Sequence, residues 1–223
     1  MLPRMVHRRS ALWLLPVVPA RATEKEMYIP AHFAADDRAQ LVELMRANAF
    51  ATLITTDAGG RPVANHLPFL VDGDPLRLRG HMARNNPQWR DFERDVLVVF
   101  QGPHAYVSPS WYVAEPESSR VPTWNYAAVH AVGRARMLGD DETSEMLERL
   151  VAEHERDGWR PEMSTRARQG MLRAIVGFEV EAPRLEGKLK LSQNRQPADR
   201  ERVETMLAER EPALAHLMAR VRG

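Results

Sequence analysis

Cysteine is absent from the 223 residues of this chain. That excludes a disulfide framework, a thiolate nucleophile and any metal centre built on sulfur. It fits a reducing compartment, and we expect the cytoplasm. A long hydrophobic run is also missing. The most apolar stretch, ALWLLPVVPA, is interrupted by Pro16 and Pro19 and falls short of the about 20 apolar residues a spanning helix needs, so no membrane association is expected. Nor is there an excess of charge. The formal total is +1, and residues 1–26 carry five basic and two acidic side chains, which leaves the rest of the chain at −2. A slightly acidic body has no global footprint for nucleic acid. Direct DNA binding stays possible through a local patch, but the charge pattern does not support it.

Several catalytic signatures are missing as well. The chain has no Walker A loop, no G-x-G-x-x-G after a strand, no H-E-x-x-H and no G-x-S-x-G. His66, His81, His104 and His130 stand singly on expected strands, which argues for structural histidines and no metal site; haem ligation by one of them stays open. The acidic residues Glu142, Glu145, Glu148, Glu153 and Glu155 read as a solvated helix face.

What is present is mostly β pattern. FATLITT (50–56) and RPVANHLPFLV flank the turn Asp57–Gly60, with Pro68 marking an edge or bulge. A second turn at Asp72-Gly73 leads into PLRLRGHM, where Leu76 and Leu78 alternate with Arg77 and Arg79. DVLVVFQG reads as a strand covered on both faces, AYVSPSWY continues the pattern, and residues 123–138 are long enough for a bent barrel strand. LRAIVGFEVEAPRLEGKLKL supplies the last strand. Helices are expected at 36–48, in the short NPQWRDF segment and after a cap at Asp140. In the last of these, Met146, Leu147, Leu150 and Val151 form the buried stripe. A final pair is separated by Pro212. Six or seven strands joined mainly by hairpins predict a mainly β fold, an antiparallel barrel with peripheral helices. The closing helices carry the stripes Val203, Met206, Leu207 and Leu214, Leu217, Met218, which suit core packing. Arg200 and Arg202 among Asp199, Glu201 and Glu204 make a poor DNA-reading helix.

Residues 1–26 have a basic start, a short apolar run and Ala20-Arg21-Ala22, as targeting segments do. We read them as an N-terminal extension, a mis-called start or disordered segment before Met27, rather than as an export signal. Residues 27–195 then form the barrel and 196–223 the C-terminal helices.

Two polar corners hold the candidate chemistry. In HMARNNPQW (81–89), Asn86 is a good helix cap and Pro87 suits the first helical position. The same strand-to-helix corner, with free amides and Arg84, also suits a phosphate. Capped corners are the commoner of the two, and the residues alone leave both readings open. The second corner is KLKLSQN (188–194), with Trp111-Tyr112 and Val121–Tyr126 lying between the two in sequence. Cations, amides and aromatic rings together suit a flat phosphorylated ligand, although Trp124 and Tyr126 serve equally well as core or dimer packing.

In order, MYIPAHF, HLPF, GHMARNNPQW, AYVSPSWY, VPTWNY and GKLKLSQN resemble the PaiB-type family of FMN-binding negative transcriptional regulators, over essentially all of residues 27–223. The resemblance implies a split β-barrel of the flavin-reductase and pyridoxamine-phosphate-oxidase type, a homodimer with FMN at the subunit interface. It also implies that Asn65, His66, Leu67 and Pro68 run beside the isoalloxazine. His81, Met82, Ala83, Arg84 and Asn86 would hold the ribityl phosphate, with Arg84 as main charge partner. Thr123, Trp124, Lys188, Ser192 and Gln193 would be further contacts from the second subunit. Two other functions fit the same barrel: an FMN-dependent oxidoreductase, and a haem-binding protein. No residue stands out as an acid–base catalyst.

Overall fold

The computed structural model describes residues 27–155 and 157–221; the expected N-terminal extension lies outside them. Eight strands form one antiparallel sheet: β1 (Ala34–Ala35), β2 (Phe50–Thr56), β3 (Pro62–Pro68), β4 (Leu70–Gly73), β5 (Leu76–Ala83), β6 (Asp95–Val107), β7 (Thr123–Met137) and β8 (Ile175–Lys190). Five α-helices accompany them: α1 (Arg38–Ala47), α2 (Asp140–His154), α3 (Thr165–Ala174), α4 (Pro197–Ala208) and α5 (Pro212–Arg220). The sheet runs β3-β2-β6-β7-β8-β5-β4, with β1 paired to β8. It curls without closing, so the mainly β split barrel expected from the sequence is what forms.

The β2–β3 hairpin turns on Asp57, whose carboxylate accepts from the Gly59 and Arg61 amides at 2.8 and 2.9 Å. Gly60 takes φ 80° there, a conformation glycine adopts without a Cβ penalty. β3 is an end strand, which is why it tolerates Pro62 and Pro68. The long strands β6 and β7 change register at Gln101–His104 and Val132–Arg134; such bulges bend a strand so that it serves both halves of a barrel. Inside, Phe69 lies between Phe100 and Phe178 at 5.9 and 5.8 Å, and Phe92 meets Phe178 at 5.1 Å.

α1 lies directly on β8. A Cβ on Gly187 would stand 2.3 Å from the Leu41 side chain, so the glycine is required by the close approach. α4 and α5 add Val203, Leu207, Leu214, Leu217 and Met218 to the same core. α2 covers the outer face of β5 and β8, seating Thr143 against Gly177 and burying Met146. Beneath it an ionic cluster holds the faces together: Asp72 receives Arg79 and Arg149, and the buried Glu179 receives Arg136 at 3.0 Å.

Several local expectations needed correction. β6 is not covered on both faces: Val96, Val98 and Phe100 are buried, while Leu97 and Val99 are half-buried on the outer face. RPVANHLPFLV splits at Phe69, which turns into the core. Asp72-Gly73 stays in β4, and the turn falls at Asp74-Pro75. The first helix begins after Asp37, whose side chain caps it by accepting from the Ala39 and Gln40 amides. At α2 the cap position is Gly139; its N–H donates to the Glu142 carboxylate at 3.0 Å, and Asp140 is already helical. Leu147, Leu150 and Val151 are only half-buried; Leu147 and Val151 line a hollow shared with Trp159, Met163 and Met171. NPQWRDF is a 3-10 turn, Pro87–Asp91. α3 was not anticipated.

Asp199 sits fully buried at the start of α4 and accepts from the amides of Val113, Ala114 and Glu115 at 2.5, 2.8 and 3.0 Å. Burial pushes its carboxyl upward, but the Ala114, Val113 and Glu115 donors outweigh it and hold the group below the ordinary carboxylate range. A group with a lowered folded pKa contributes stability that is present above the unfolded value, about 3.9, and is lost as pH falls through the folded one. We expect Asp199→Asn to lose roughly 1.5–3 kcal/mol at neutral pH in urea denaturation, the scale of bonds to a charged acceptor. Unchanged stability in that variant would show that the carboxylate does not anchor the 113–115 segment.

Candidate functional site

At the end of β5 the chain turns sharply, with the Asn86 N–H donating to Ala83 O at 2.9 Å. Asn86 caps the following turn, its Oδ1 accepting from the Gln88 N–H at 3.1 Å, and Pro87 occupies the first turn. The cap reading of HMARNNPQW therefore holds. The indole N–H of Trp89 donates back to Arg84 O at 3.2 Å, and Arg90 lies over the Trp89 ring. Arg84 itself is exposed. Its backbone N–H donates to Ala174 O at 2.8 Å, its Nε to Arg173 O at 2.8 Å and its Nη2 to Ile175 O at 2.6 Å.

The hub of this corner is Gln88, which the sequence reading passed over. It is 1% exposed. Its Nε2 donates to Leu53 O at 3.2 Å and Val63 O at 3.0 Å, and its Oε1 accepts from Asn65 Nδ2 at 2.8 Å. Asn65 is thereby tied to the corner. Pro68 arrives by another route: a Cβ on Gly80 would lie 3.1 Å from the Phe178 ring and 3.4 Å from Pro68 O. The end of β3 thus crosses close over β5. Leu67 packs on the core, while His66 faces outward with its Nδ1 3.0 Å from Thr52 Oγ1. Asn65–Pro68 and His81–Asn86 therefore form one locality. Met82 within it is buried, facing the core, and Ala83 is exposed.

His81 stands opposite Gly177 of β8. Its Nδ1 is buried without a hydrogen-bond partner among the described residues. Burial pulls its pKa below the ordinary histidine value.

The remaining candidates assemble elsewhere. Lys188 is buried, donates to Tyr28 O at 2.7 Å, and lies 5.5 and 5.6 Å from the Tyr28 and Tyr126 rings. Lys190, in the same corner, bonds Thr123 Oγ1 and Trp124 O and lies 5.9 Å from the Phe33 ring. Burial first, then Arg195 and Lys188, lowers its pKa. Neither lysine meets a carboxylate among the described residues. Trp124 is 53% exposed, with His104 and Tyr106 beside it. Ser192 (φ 65°) is buried and exchanges hydrogen bonds with the Asn125 amide. Gln193 folds back onto the Leu191 N–H and Leu189 O. Ser192 is thus spent on β7 and Gln193 on the turn itself.

Gly177, opposite His81, and Lys188 lie near the two ends of β8, separated by roughly 35 Å of strand path. One chain therefore holds two localities, and does not bring them together. Lys190 shares its corner, KLKLSQN, and its strand face with Lys188; Gln88 carries no local signal, because its partners come from two other strands.

The strand order and bulged long strands define a split-barrel architecture. In fold the chain is similar to the flavocytochrome Anf3 from Azotobacter vinelandii (TM-score 0.56, 17% identity, 70% of this chain and 69% of that one). It is similarly close to a FAD and heme binding protein from Mycobacterium smegmatis (TM-score 0.55, 19% identity, 70% and 73%). Residues 27–184 match the family described as "Putative FMN-binding domain". The chain is also 41% identical, over 201 residues covering 86% of it and 95% of the relative, to the protease synthase and sporulation protein PAI 2 of Bacillus subtilis. It belongs to this PaiB-type FMN-binding family, and its cofactor is FMN.

A buried histidine of lowered pKa stays neutral in the native state while the unfolded chain protonates near pH 6.5. The stability it contributes is present above that pH and is lost as pH falls through the folded value. His130 is shifted the same way, again chiefly by burial. We expect His81→Gln to flatten the fall in stability between pH 7 and pH 5, followed by urea midpoint at each pH. An unaltered slope would mean that His81 is not the group taking up the proton.

Proposed function

We propose that the chain works as a homodimer that binds FMN between its subunits and acts in negative control of gene expression. The observation that carries the dimer is the division of the polar residues into two localities at opposite ends of β8. A second copy is the simplest way to set one against the other. An uncovered apolar sheet face supports this. Across β2, β6 and β7 the register aligns Ile54, Leu97 and Val132 in one row and Thr52, Val99 and His130 in the next. Tyr126 and Trp124 continue the face toward the second locality. Monomeric proteins rarely leave a contiguous apolar patch of this kind in water. On this reading Leu97 and Val99 are apolar because the partner covers them.

The residues of the first corner fit the phosphorylated end of FMN. Arg84 keeps its Nη1 unshared among the described residues, and His81 offers a buried nitrogen without a partner. A guanidinium and a phosphate make charge-assisted, bidentate bonds. Asn65, held by Gln88, stands beside the ring system, and Pro68 and Leu67 give it an apolar edge. Trp124 and Lys188 approach from the second subunit. Bound FMN supplies the redox-active ring; this chain's residues bind, orient and shield it.

Support for the regulatory role comes from the resemblance to PaiB-type regulators and from the relative's name, which refers to protease synthesis and sporulation. α4 is a poor DNA reader: Asp199 is buried, and Arg200 donates to Met218 O of α5 at 3.2 Å. We therefore assign the regulation to a protein partner rather than to direct operator contact.

The purified chain should be yellow and release FMN on heating, about one per subunit; a colourless protein that refuses added FMN would defeat the reading. Nicotinamide-driven bleaching of that colour would turn it toward an oxidoreductase. Arg84→Ala should weaken FMN binding by roughly 1.5–3 kcal/mol in a fluorescence titration, and unchanged affinity would remove Arg84 from the phosphate site. Val99→Glu should yield a monomer by light scattering and lose FMN at the same time. A monomer that still binds FMN normally would rule out an interface-built site.

A further inference from the structure

We propose that Arg84 couples FMN binding to the docking of helix α3, so that cofactor occupancy is read out as the order of that helix. The inference rests on the phosphate reading of the corner.

α3 is weakly held. None of its residues is buried, and helices of this kind draw most of their stability from packing. Its attachments are few. Arg168 reaches Glu148 at 2.7 Å and Ser144 Oγ at 2.8 Å. Ser164 caps the N-terminus by accepting from the Ala167 N–H at 3.3 Å. The C-terminal end depends on Arg84. Carbonyls in the last turn of a helix lack intrahelical partners and carry the negative end of its dipole. Here Arg173 O and Ile175 O both receive the Arg84 side chain, and Ala174 O receives its backbone N–H.

A guanidinium has five N–H donors in a fixed plane. The bonds to α3 use Nε and one hydrogen of Nη2. Left over are the second hydrogen of Nη2 and both of Nη1, which form the opposite edge. That edge has the geometry to take two phosphate oxygens. One planar group thus clamps the helix with one edge while the other is offered to the ligand. Phosphate on the free edge fixes the guanidinium, so the clamp on α3 no longer costs side-chain freedom. Bonds on the two edges also polarise one another. The coupling must act in both directions: what steadies α3 favours FMN, and what breaks α3 weakens it. A lysine has the charge but not the planar fork, and cannot serve both sides.

α3 also forms one wall of an apolar hollow of about 590 Å³ that includes Leu147, Val151, Trp159, Met163 and Met171. Docking of α3 decides whether that hollow exists.

The test is amide hydrogen exchange of the full chain with and without saturating FMN, read by peptide mass. In the wild-type protein FMN should slow exchange in residues 165–174 about tenfold, a coupling of ordinary size. In Arg84→Lys, at FMN concentrations raised to saturate the weakened site, 165–174 should exchange as without FMN. Gln169→Pro, on the exposed surface in the middle of α3, should raise the FMN dissociation constant about tenfold although no α3 residue belongs to the phosphate corner. Wild-type protein that binds FMN with no change in 165–174 would overturn the coupling and leave the FMN site standing. Arg84→Lys that keeps the full protection, or Gln169→Pro that binds FMN normally, would overturn it equally. Failure of the wild-type protein to bind FMN would instead remove the reading beneath it.

Discussion

The side-chain amide of Gln88 is the contact on which the site depends. It lies 1% exposed between the β2–β3 hairpin and the corner that ends β5. Every polar atom of its amide finds a partner: two strand carbonyls, Leu53 O and Val63 O, and the Asn65 amide. An amide buried without those partners would cost about as much as each lost bond is worth, so the corner has one low-energy position. Asn65 takes its place from it, and the Asn86 cap on the Gln88 N–H joins the end of β5 to the same point. Glycine at 80 and the phenylalanine cluster around Phe178 permit the same approach from the apolar side.

A division of labour follows from the barrel. Its interior is closed by α1, α4 and α5, whose apolar stripes join one core. Its outer surface is treated in two ways. Under α2, the face of β5 and β8 carries charges, with Glu179 and Asp72 meeting four arginines across the sheet. Across β2, β6 and β7 the outer face is largely apolar, with Ile54, Leu97, Val99 and Val132 half-buried beside Thr52 and His130. The charged face ties α2 down through ion pairs, Arg149 to Asp72 and Glu142 to Arg136. The apolar face asks for a second molecule, and the proposed dimer uses it to bring the lysine corner of one subunit to the arginine corner of the other.

Much of the fold was legible because its signals are local. The β2 boundaries, the long β7, the Pro212 break and the cap at Asn86 depend on alternation, turn residues and capping, which operate within a few residues. α3 was hidden: its first half is polar, Gly170 interrupts it, and its end is stabilised by Arg84, 89 residues earlier in the chain. β6 misled for a different reason. A run apolar at every position looks the same whether its second face is covered by the chain itself or by a neighbour. The structure places the candidate residues in two localities, near the two ends of β8. What could not be read was that Ser192 turns inward to Asn125 of β7, that Gln193 folds back on its own turn, or that Gln88 carries the corner.

By itself, the sequence determined the class of fold, the absence of sulfur chemistry and the residue types at each corner, because periodicity and composition are properties of short segments. Tertiary structure alone decided which corners share a locality, which face of β6 turns outward and what Arg84 touches. Those depend on contacts between residues tens of positions apart, whose positions are fixed only when the sheet curls and its ends cross.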